Sequence, residues 1–343
     1  MAKQRIALIF GGASANKNLS CVPSVAETLQ ENSYEVILIG ITPKGKWLYY
    51  PGDLNSLVEG TWSSHPDCCP VVFNFDGTKQ GIYKILDDQS LSFLHIDCAI
   101  PLLYGQGAVD GKVQGLLKLA SIPCVGSATG TAAISMNRVF THTIANGVGI
   151  RTPRYLTVAR SDKLDITAIS EKISENFGFP VFVKPDGSLS GISFAKNEDE
   201  LAEAIKTAFI HDKKVVIEER IIGKLIKCAV IGNEKPEASI LGEIPLDALQ
   251  NPVSAPAQIS QEISYQIRDL AIKLYQLFDC AGLGALDFFV TPADELYFNQ
   301  LTTIPDLSKD SAFVTLWETV GVSYSDLLDR FITMAIERAE TVK

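Results

Sequence analysis

Three short stretches carry residue types whose spacing could do chemistry. The first is Lys184, at the end of the apolar run Val181–Val183, followed by Pro185 and a loop containing Gly187, Ser188, Ser190 and Gly191. Backbone N–H groups in a small-residue loop can cradle phosphate oxygens, and a lysine adds a point charge. A plain surface turn has the same composition, so the loop alone decides nothing. The second is Glu218-Glu219, directly after Val215–Ile217. A carboxylate or carbonyl at a strand end can accept from an adenine amino group, and a solvated strand end is the plainer alternative. The third is Asp287 inside Leu286-Asp287-Phe288-Phe289, with Gln300 and Thr302 on the next apolar run. An aspartate in an apolar strand is costly unless it is paired or metal-bound. Magnesium uses one or two carboxylates plus nucleotide phosphates. Gln300 and Thr302 supply only uncharged oxygens, so this is a poor magnesium site, and a hydrogen-bonded structural aspartate is an equal reading.

The elements that must position these residues follow from hydrophobic periodicity. Ile6–Phe10 and Glu35–Ile41 are continuous apolar runs, as buried parallel strands require, with a helix over Val22–Gln30 between them. Residues 47–91 form an excursion of short strands and turns. A buried strand over Ala99–Leu103, a loop with Gly105, Gly107 and Gly111, and a helix over Val113–Leu119 follow. The texture then changes. A helix is expected over Ala132–Ala145, strands over Pro153–Val158, Val181–Val183, Val215–Ile217, Cys228–Ile231 and Ser239–Ile244, and helices over Glu198–Phe209 and Ile263–Phe278. Leu286–Val290 and Leu296–Phe298 pair around a turn at Pro292–Asp294, and Ser323 with Asp326 opens the last helix as a capping box. The chain therefore reads as α/β followed by α+β. An α/β first part with a parallel sheet precedes a strand-dominated second part that is not doubly wound.

Composition narrows the function classes. The 343 residues suffice for two or three domains at about 100–200 residues each. A hydrophobic share of 46% with 20% charged residues argues against disorder. A net charge of −10 argues against a nucleic-acid partner. No apolar run approaches the ~20 residues of a membrane helix, and Ile6–Phe10 is too short for a signal-peptide core. Seven cysteines, an odd number without a Cys-x-x-Cys pair, point to free thiols in a reducing cytoplasm. The four histidines are scattered, which makes a histidine-based zinc site improbable.

Taken in order, these segments resemble the D-alanine–D-alanine ligase family of ATP-grasp enzymes, and within it the vancomycin-resistance D-alanine–D-serine ligases most. The resemblance runs from Ile6 to about Arg338. It rests on Phe10-Gly11-Gly12-x-Ser14, Pro101-x-Leu103-x-Gly105, Asp110-Gly111-x-x-Gln114-Gly115, Val125-Gly126-Ser127, Met136-Asn137-Arg138, Phe182-Val183-Lys184-Pro185, Gly242-Glu243-Ile244, Ala255-Pro256-Ala257 and Asp287-Phe288-Phe289. It implies an ATP-grasp fold preceded by a Rossmann-like parallel-sheet domain. The implied divisions are residues 1–122 for the N-terminal domain, 123–214 for the central subdomain and 215–343 for the C-terminal one. It also implies a cytoplasmic homodimer in peptidoglycan precursor synthesis, with ATP, magnesium and amino acids as ligands. The family reaction phosphorylates the carboxylate of one D-alanine with ATP and lets a second amine displace phosphate.

By resemblance, Arg138, Lys184, Gly187, Ser188, Glu218, Glu219 and Ile221 stand at nucleotide positions, Ser188 also at a catalytic one, Ser311 at the acceptor side, and Asp287 at the metal. The departures fall on the chemistry. Asn16 replaces a substrate-binding and catalytic glutamate, Ala285 an oxyanion-stabilising arginine, and Gln300 and Thr302 the Glu-x-Asn metal ligands. Arg138 replaces a phosphate-binding lysine and Leu225 the glutamate after the hinge. Tyr104, Val109 and Asp306 also depart from the family's pattern, and residues 245–255 are too short for its lid. These departures predict weak metal binding and lost or strongly reduced ligase activity with nucleotide binding retained. Two alternatives stay open: an active carboxylate–amine ligase with altered specificity, for which Lys17, Tyr104 and Asp306 supply new polar groups, and a scaffold that no longer binds nucleotide.

Overall fold

The computed structural model of the chain describes residues 3–12, 19–103, 109–161, 164–188, 190–245 and 253–341. Asn16, Lys17 and Tyr104, the glycines at 105 and 107, and most of the short segment in the lid's place lie outside the described residues.

The first sheet contains β1 (Arg5–Gly11), β2 (Glu35–Ile41), β3 (Trp47–Tyr50), β4 (Cys69–Phe73), β5 (Gly81–Ile85), β6 (Leu91–His95) and β7 (Cys98–Leu102), in the order β6-β5-β4-β3-β2-β1-β7. β1 is parallel to both β2 and β7, and the excursion over β3–β6 adds an antiparallel wing. Ile6–Phe10 is closed to water because both faces of β1 are covered. Alternate residues Ile6, Leu8 and Phe10 join Val22, Val25 and Leu29 of α1 (Cys21–Glu31) in one core. Ala7 and Ile9 face Val113 and Leu117 of α3 (Lys112–Leu119), beyond the short α2 (Asn55–Val58). A side chain at Gly40 would meet the Trp62 ring at 2.2 Å, and Trp62 packs edge-on against Phe10.

The helix expected over Ala132–Ala145 is two helices, α4 (Thr129–Met136) and α5 (Arg138–Gly147). Asn137 breaks the run. Its backbone is extended and its side-chain oxygen accepts from the Phe140 N–H at 2.9 Å, so it caps α5 instead of continuing α4. The break places Arg138 in the first turn of α5.

The second sheet has the order β10-β9-β11-β8, built from β8 (Tyr155–Ala159), β9 (Val181–Pro185), β10 (Ser193–Ala195) and β11 (Lys214–Glu219), with α6 (Ile166–Asn176) and α7 (Glu198–His211) packed on it. The sequence reading puts Val215–Ile217 at the head of the C-terminal part. The strand instead hydrogen-bonds between β9 and β8, because Val215 and Ile217 complete the apolar face that α7 covers.

The third sheet, β13-β12-β14-β15, is antiparallel and consists of β12 (Lys224–Gly232), β13 (Glu237–Ile244), β14 (Gly282–Val290) and β15 (Leu296–Thr302). Ile226, Cys228, Val230, Leu286 and Phe288 pack against Ile263, Ile267 and Leu274 of α8 (Gln261–Leu277). By the two-residue period of a strand, Lys227 and Asp287 fall on the opposite face. On that face Ala229, Ile231, Leu283 and Ala285 join the core shared with α9 (Ala312–Glu318) and α10 (Tyr324–Thr341). The same core takes in β1 and α1, so the last two helices are held against the first sheet. Half of the capping box forms: Ser323 Oγ accepts from the Asp326 N–H at 3.1 Å, while its hydroxyl donates to Asp326 Oδ2 at 2.7 Å. Among the described residues no disulfide forms, and no helix is long and apolar enough to cross a membrane.

Candidate functional site

The sequence-predicted residues meet where α5, β9, β11, β14 and β15 come together. Lys184 on β9 and Glu218 on β11 lie diagonally across paired strands and form an ion pair with both side chains buried. His142 of α5 lies in the same electrostatic environment, and its Nε2–H donates to the Asn299 carbonyl at 3.2 Å. Burial opposes ionisation of Glu218, but Lys184, Arg138 and His142 outweigh it and hold the carboxyl below the usual glutamate range. Burial lowers His142, against the pull of Glu218. Glu218 Oε1 and His142 Nδ1 are buried and face no donor among the described residues.

Arg138 reaches from the first turn of α5 and is almost fully buried. Its backbone N–H donates to the Asp186 carbonyl at 3.2 Å, and the next N–H, of Val139, donates to the Asp186 carboxylate at 3.0 Å. Lys214 in turn pairs with Asp186 at 3.0 Å. This anchors the start of α5 to the end of β9. The Arg138 guanidinium donates through Nη2 to Gln300 Oε1 at 3.3 Å, and Gln300 Nε2 donates to Thr302 Oγ1 at 3.2 Å. A bulge supports that placement: Asp287 pairs with Gln300 but Phe288 pairs with Phe298, so Asn299 is the extra residue whose carbonyl takes the His142 bond.

Asp287 is not free for a cation. In the β12–β14 register it stands directly opposite Lys227, and Lys227 Nζ lies 2.5 Å from its Oδ1. Each residue expected at a magnesium position already turns an oxygen to a hydrogen: Asp287 Oδ1 to an ammonium, Gln300 Oε1 to a guanidinium, and Thr302 Oγ1 to an amide. No cluster of three His, Cys, Asp or Glu that could hold a metal exists among the described residues. Magnesium needs one or two carboxylates in a strict octahedron. The residues present do not fit it.

The remaining expectations divide. A cavity of about 240 Å³ brings together Arg138, Ser188, Gln300 and Thr302, with Thr141 and Asp306 beside them. Ser188 is buried there, and its Oγ accepts from the Ser190 N–H at 3.1 Å. The Gly187 N–H is taken by Asp212 at 2.7 Å, so that amide of the small-residue loop is already satisfied inside the protein. The Glu219 carboxylate holds the backbone N–H of Arg154 at 2.7 Å and its Nε at 2.8 Å, so it braces β8 rather than joining the cluster. Ile221 is half-buried just past the end of β11. Ala285 is closed within the apolar core, and Ser311 caps α9 by accepting from the Val314 N–H at 3.3 Å. A larger open groove beside α10 is lined by none of these residues.

Lys227 is the residue that sequence reading missed. Its signal was present: a lysine inside the apolar run Ile226-Lys227-Cys228 raises the same question as Asp287 inside its own. Two opposite charges, each alone in an apolar strand, answer each other only when the strands are neighbours in register.

Two antiparallel sheets, preceded by a sheet with a parallel core, make up the ATP-grasp architecture that the structural neighbours share. Residues 5–127 match the family described as D-ala D-ala ligase N-terminus, and residues 144–333 match D-ala D-ala ligase C-terminus. The chain is 37% identical to the D-alanine–D-alanine ligase of Thermoanaerobacter sp. (strain X514), with 98% of each chain covered. Among solved structures it resembles the VanG D-Ala:D-Ser ligase from Enterococcus faecalis at a TM-score of 0.87 and 30% identity, covering 97% of this chain and 99% of that one. The D-alanine–D-alanine ligase from Bacillus anthracis, solved in complex with ATP, shares the fold at a TM-score of 0.74 and 23% identity, covering 99% and 100%. The chain belongs to the D-alanine–D-alanine ligase family.

Proposed function

We propose that this chain is a nucleotide-binding member of its family in which ligase activity is lost or strongly reduced. The observation that carries the reading is the Lys227–Asp287 ion pair, which commits Asp287, the carboxylate expected at the metal, to a side chain. Ligase chemistry of this type depends on positioning two anionic reactants and stabilising the charge that develops between them. Removing one such donor typically costs about 10²–10³ in rate. The resemblance expects an arginine where Ala285 stands, and the alanine is sealed in the core with no polar group to offer. The losses touch one constellation, so they do not simply multiply.

What persists suits a nucleotide. Arg138 and Lys184 are fixed cations for phosphate oxygens. Glu218 Oε1 is a buried acceptor that an adenine amino group can satisfy. Ser188 lines the adjoining cavity. The cytoplasmic, homodimeric and peptidoglycan setting implied by the resemblance completes the proposal, with an amino acid as a further ligand and Ser311 and Asn16 at its substrate side.

The experiment is ATP-dependent phosphate release by the folded protein with magnesium or manganese, D-alanine and a panel of D- and L-amino acids. Asp287→Asn is the control and a related active ligase runs in parallel. No amino-acid-dependent release is expected. Full-length similarity to ligases favours a second reading, an active ligase with altered specificity. Release that requires both an amino acid and Asp287 would establish that reading and overturn the first.

A further inference from the structure

We infer that Lys227 takes the place of a divalent cation in this site, so that the protein binds a nucleoside diphosphate without metal; the ligand class rests on the nucleotide reading above. Three features carry it. First, the ammonium sits on Asp287 Oδ1 at 2.5 Å, the position in which a carboxylate-bound cation would stand. A metal ion there must displace it or approach a positive charge at contact distance, and both are unfavourable. Second, an ammonium has three donors, and Lys227 Nζ uses one of them on Asp287 and none on any other described residue. Its side chain keeps 19% exposure, so the remaining N–H groups are not sealed in the core. Third, the neighbouring oxygen that could complete a coordination shell, Gln300 Oε1, is turned to the Arg138 guanidinium.

Arg138, Lys184 and Lys227 place three cations in this region. A diphosphate oxygen can be held there by lysine and arginine directly, as charge-assisted hydrogen bonds, without a bridging ion.

The test has two arms. In the first, manganese is titrated into the nucleotide-free protein and followed by electron paramagnetic resonance. The wild type is expected to take up no manganese that depends on Asp287. Lys227→Gln, which removes the tethered charge, is expected to take up one ion, and Lys227→Gln with Asp287→Asn to lose it again. Manganese uptake by the wild type that Asp287→Asn abolishes overturns the inference, as does a Lys227→Gln protein that stays folded by circular dichroism and takes up none. In the second arm, ADP binding is measured by calorimetry in EDTA and in magnesium. Equal affinity in both is expected for the wild type, with a loss of about tenfold in EDTA for Lys227→Gln, one hydrogen bond's worth at 1.4 kcal/mol per decade. ADP binding that requires magnesium overturns the inference. Absence of ADP binding in both buffers strikes the nucleotide reading itself and with it the diphosphate ligand, while the manganese arm still decides whether Lys227 replaces the cation.

Discussion

Lys184 and Glu218 form an ion pair from adjacent strands of the central sheet, with the carboxylate 1% exposed and the ammonium 10%. Removing one partner strands a buried charge, which typically costs about 3–5 kcal/mol, whereas replacing both by neutral groups of similar volume is often close to neutral. Lys184→Met is therefore expected to lose about 3–5 kcal/mol in urea unfolding. Lys184→Met with Glu218→Gln should lose clearly less than Lys184→Met alone. A single variant that costs under about 1 kcal/mol would mean that the pair is hydrated and behaves as a surface bridge.

The same cluster sets an acid sensitivity. Glu218 is held below its usual range and His142 below its ordinary 6.5, so for both groups the unfolded chain binds protons more readily than the folded one. Stability then rises with pH wherever the unfolded chain carries more protons. The contribution of both groups is complete above the ordinary histidine value. It falls first as pH drops below that value and His142 must charge, and further as pH passes below the usual glutamate range toward the depressed value of Glu218. Denaturant midpoints measured across this window should decline toward acid. His142→Gln should remove the first part of the decline and leave the second. A midpoint flat down to the carboxylate range in the wild type would contradict the assignment of His142 as a buried neutral ring.

Asn137 sets where Arg138 stands. Asn137→Ala removes the bond to the Phe140 N–H, and losing an N-cap costs about 1 kcal/mol. Because α4 and α5 are then free to run together, the variant should also blur the anchor between Arg138 and Asp186. The expected signature is a modest loss of stability with a larger loss of nucleotide affinity. Equal, small losses in both would reduce the cap to a local effect.

That break between α4 and α5 also marks the limit of what the sequence makes legible. Long periodic elements such as α8, α10 and the buried strands β1 and β2 declare themselves, since each buries one face or both against a partner. Asn137 sits inside a run with helical spacing, and only its side-chain bond to Phe140 reveals the stop. β11 stands at the head of the C-terminal part in the division the resemblance implies, yet sheet membership is decided by which apolar face it completes. Within the site, Lys184, Glu218, Asp287, Gln300 and Thr302 are readable as chemistry-bearing types. Their partners are not, because pairing depends on register between β12 and β14 and on the Asn299 bulge in β15, which no local pattern encodes. Glu219 shows the reverse: a strand-end carboxylate in the right motif is diverted to Arg154 by strand geometry.

Arg338 joins regions far apart in the chain. From α10 its Nη2 donates to the carbonyls of Cys124 and Gly126, each at 2.8 Å, where the chain leaves the first sheet for α4. Hydrogen bonds from a charged donor contribute about 1.5–3 kcal/mol, so Arg338→Met, which keeps the apolar stem, should destabilise by about that amount. The loss should be local in character. α10 shares one apolar core with α1, β1 and β7, and freeing its last turns lowers the protection of that helix before it unfolds the first sheet. Hydrogen exchange should therefore show faster exchange over the C-terminal half of α10 and over residues 123–127, with β1 and β2 unchanged. Uniform acceleration across all three sheets would instead make Arg338 a support of the whole fold rather than a clasp on one helix.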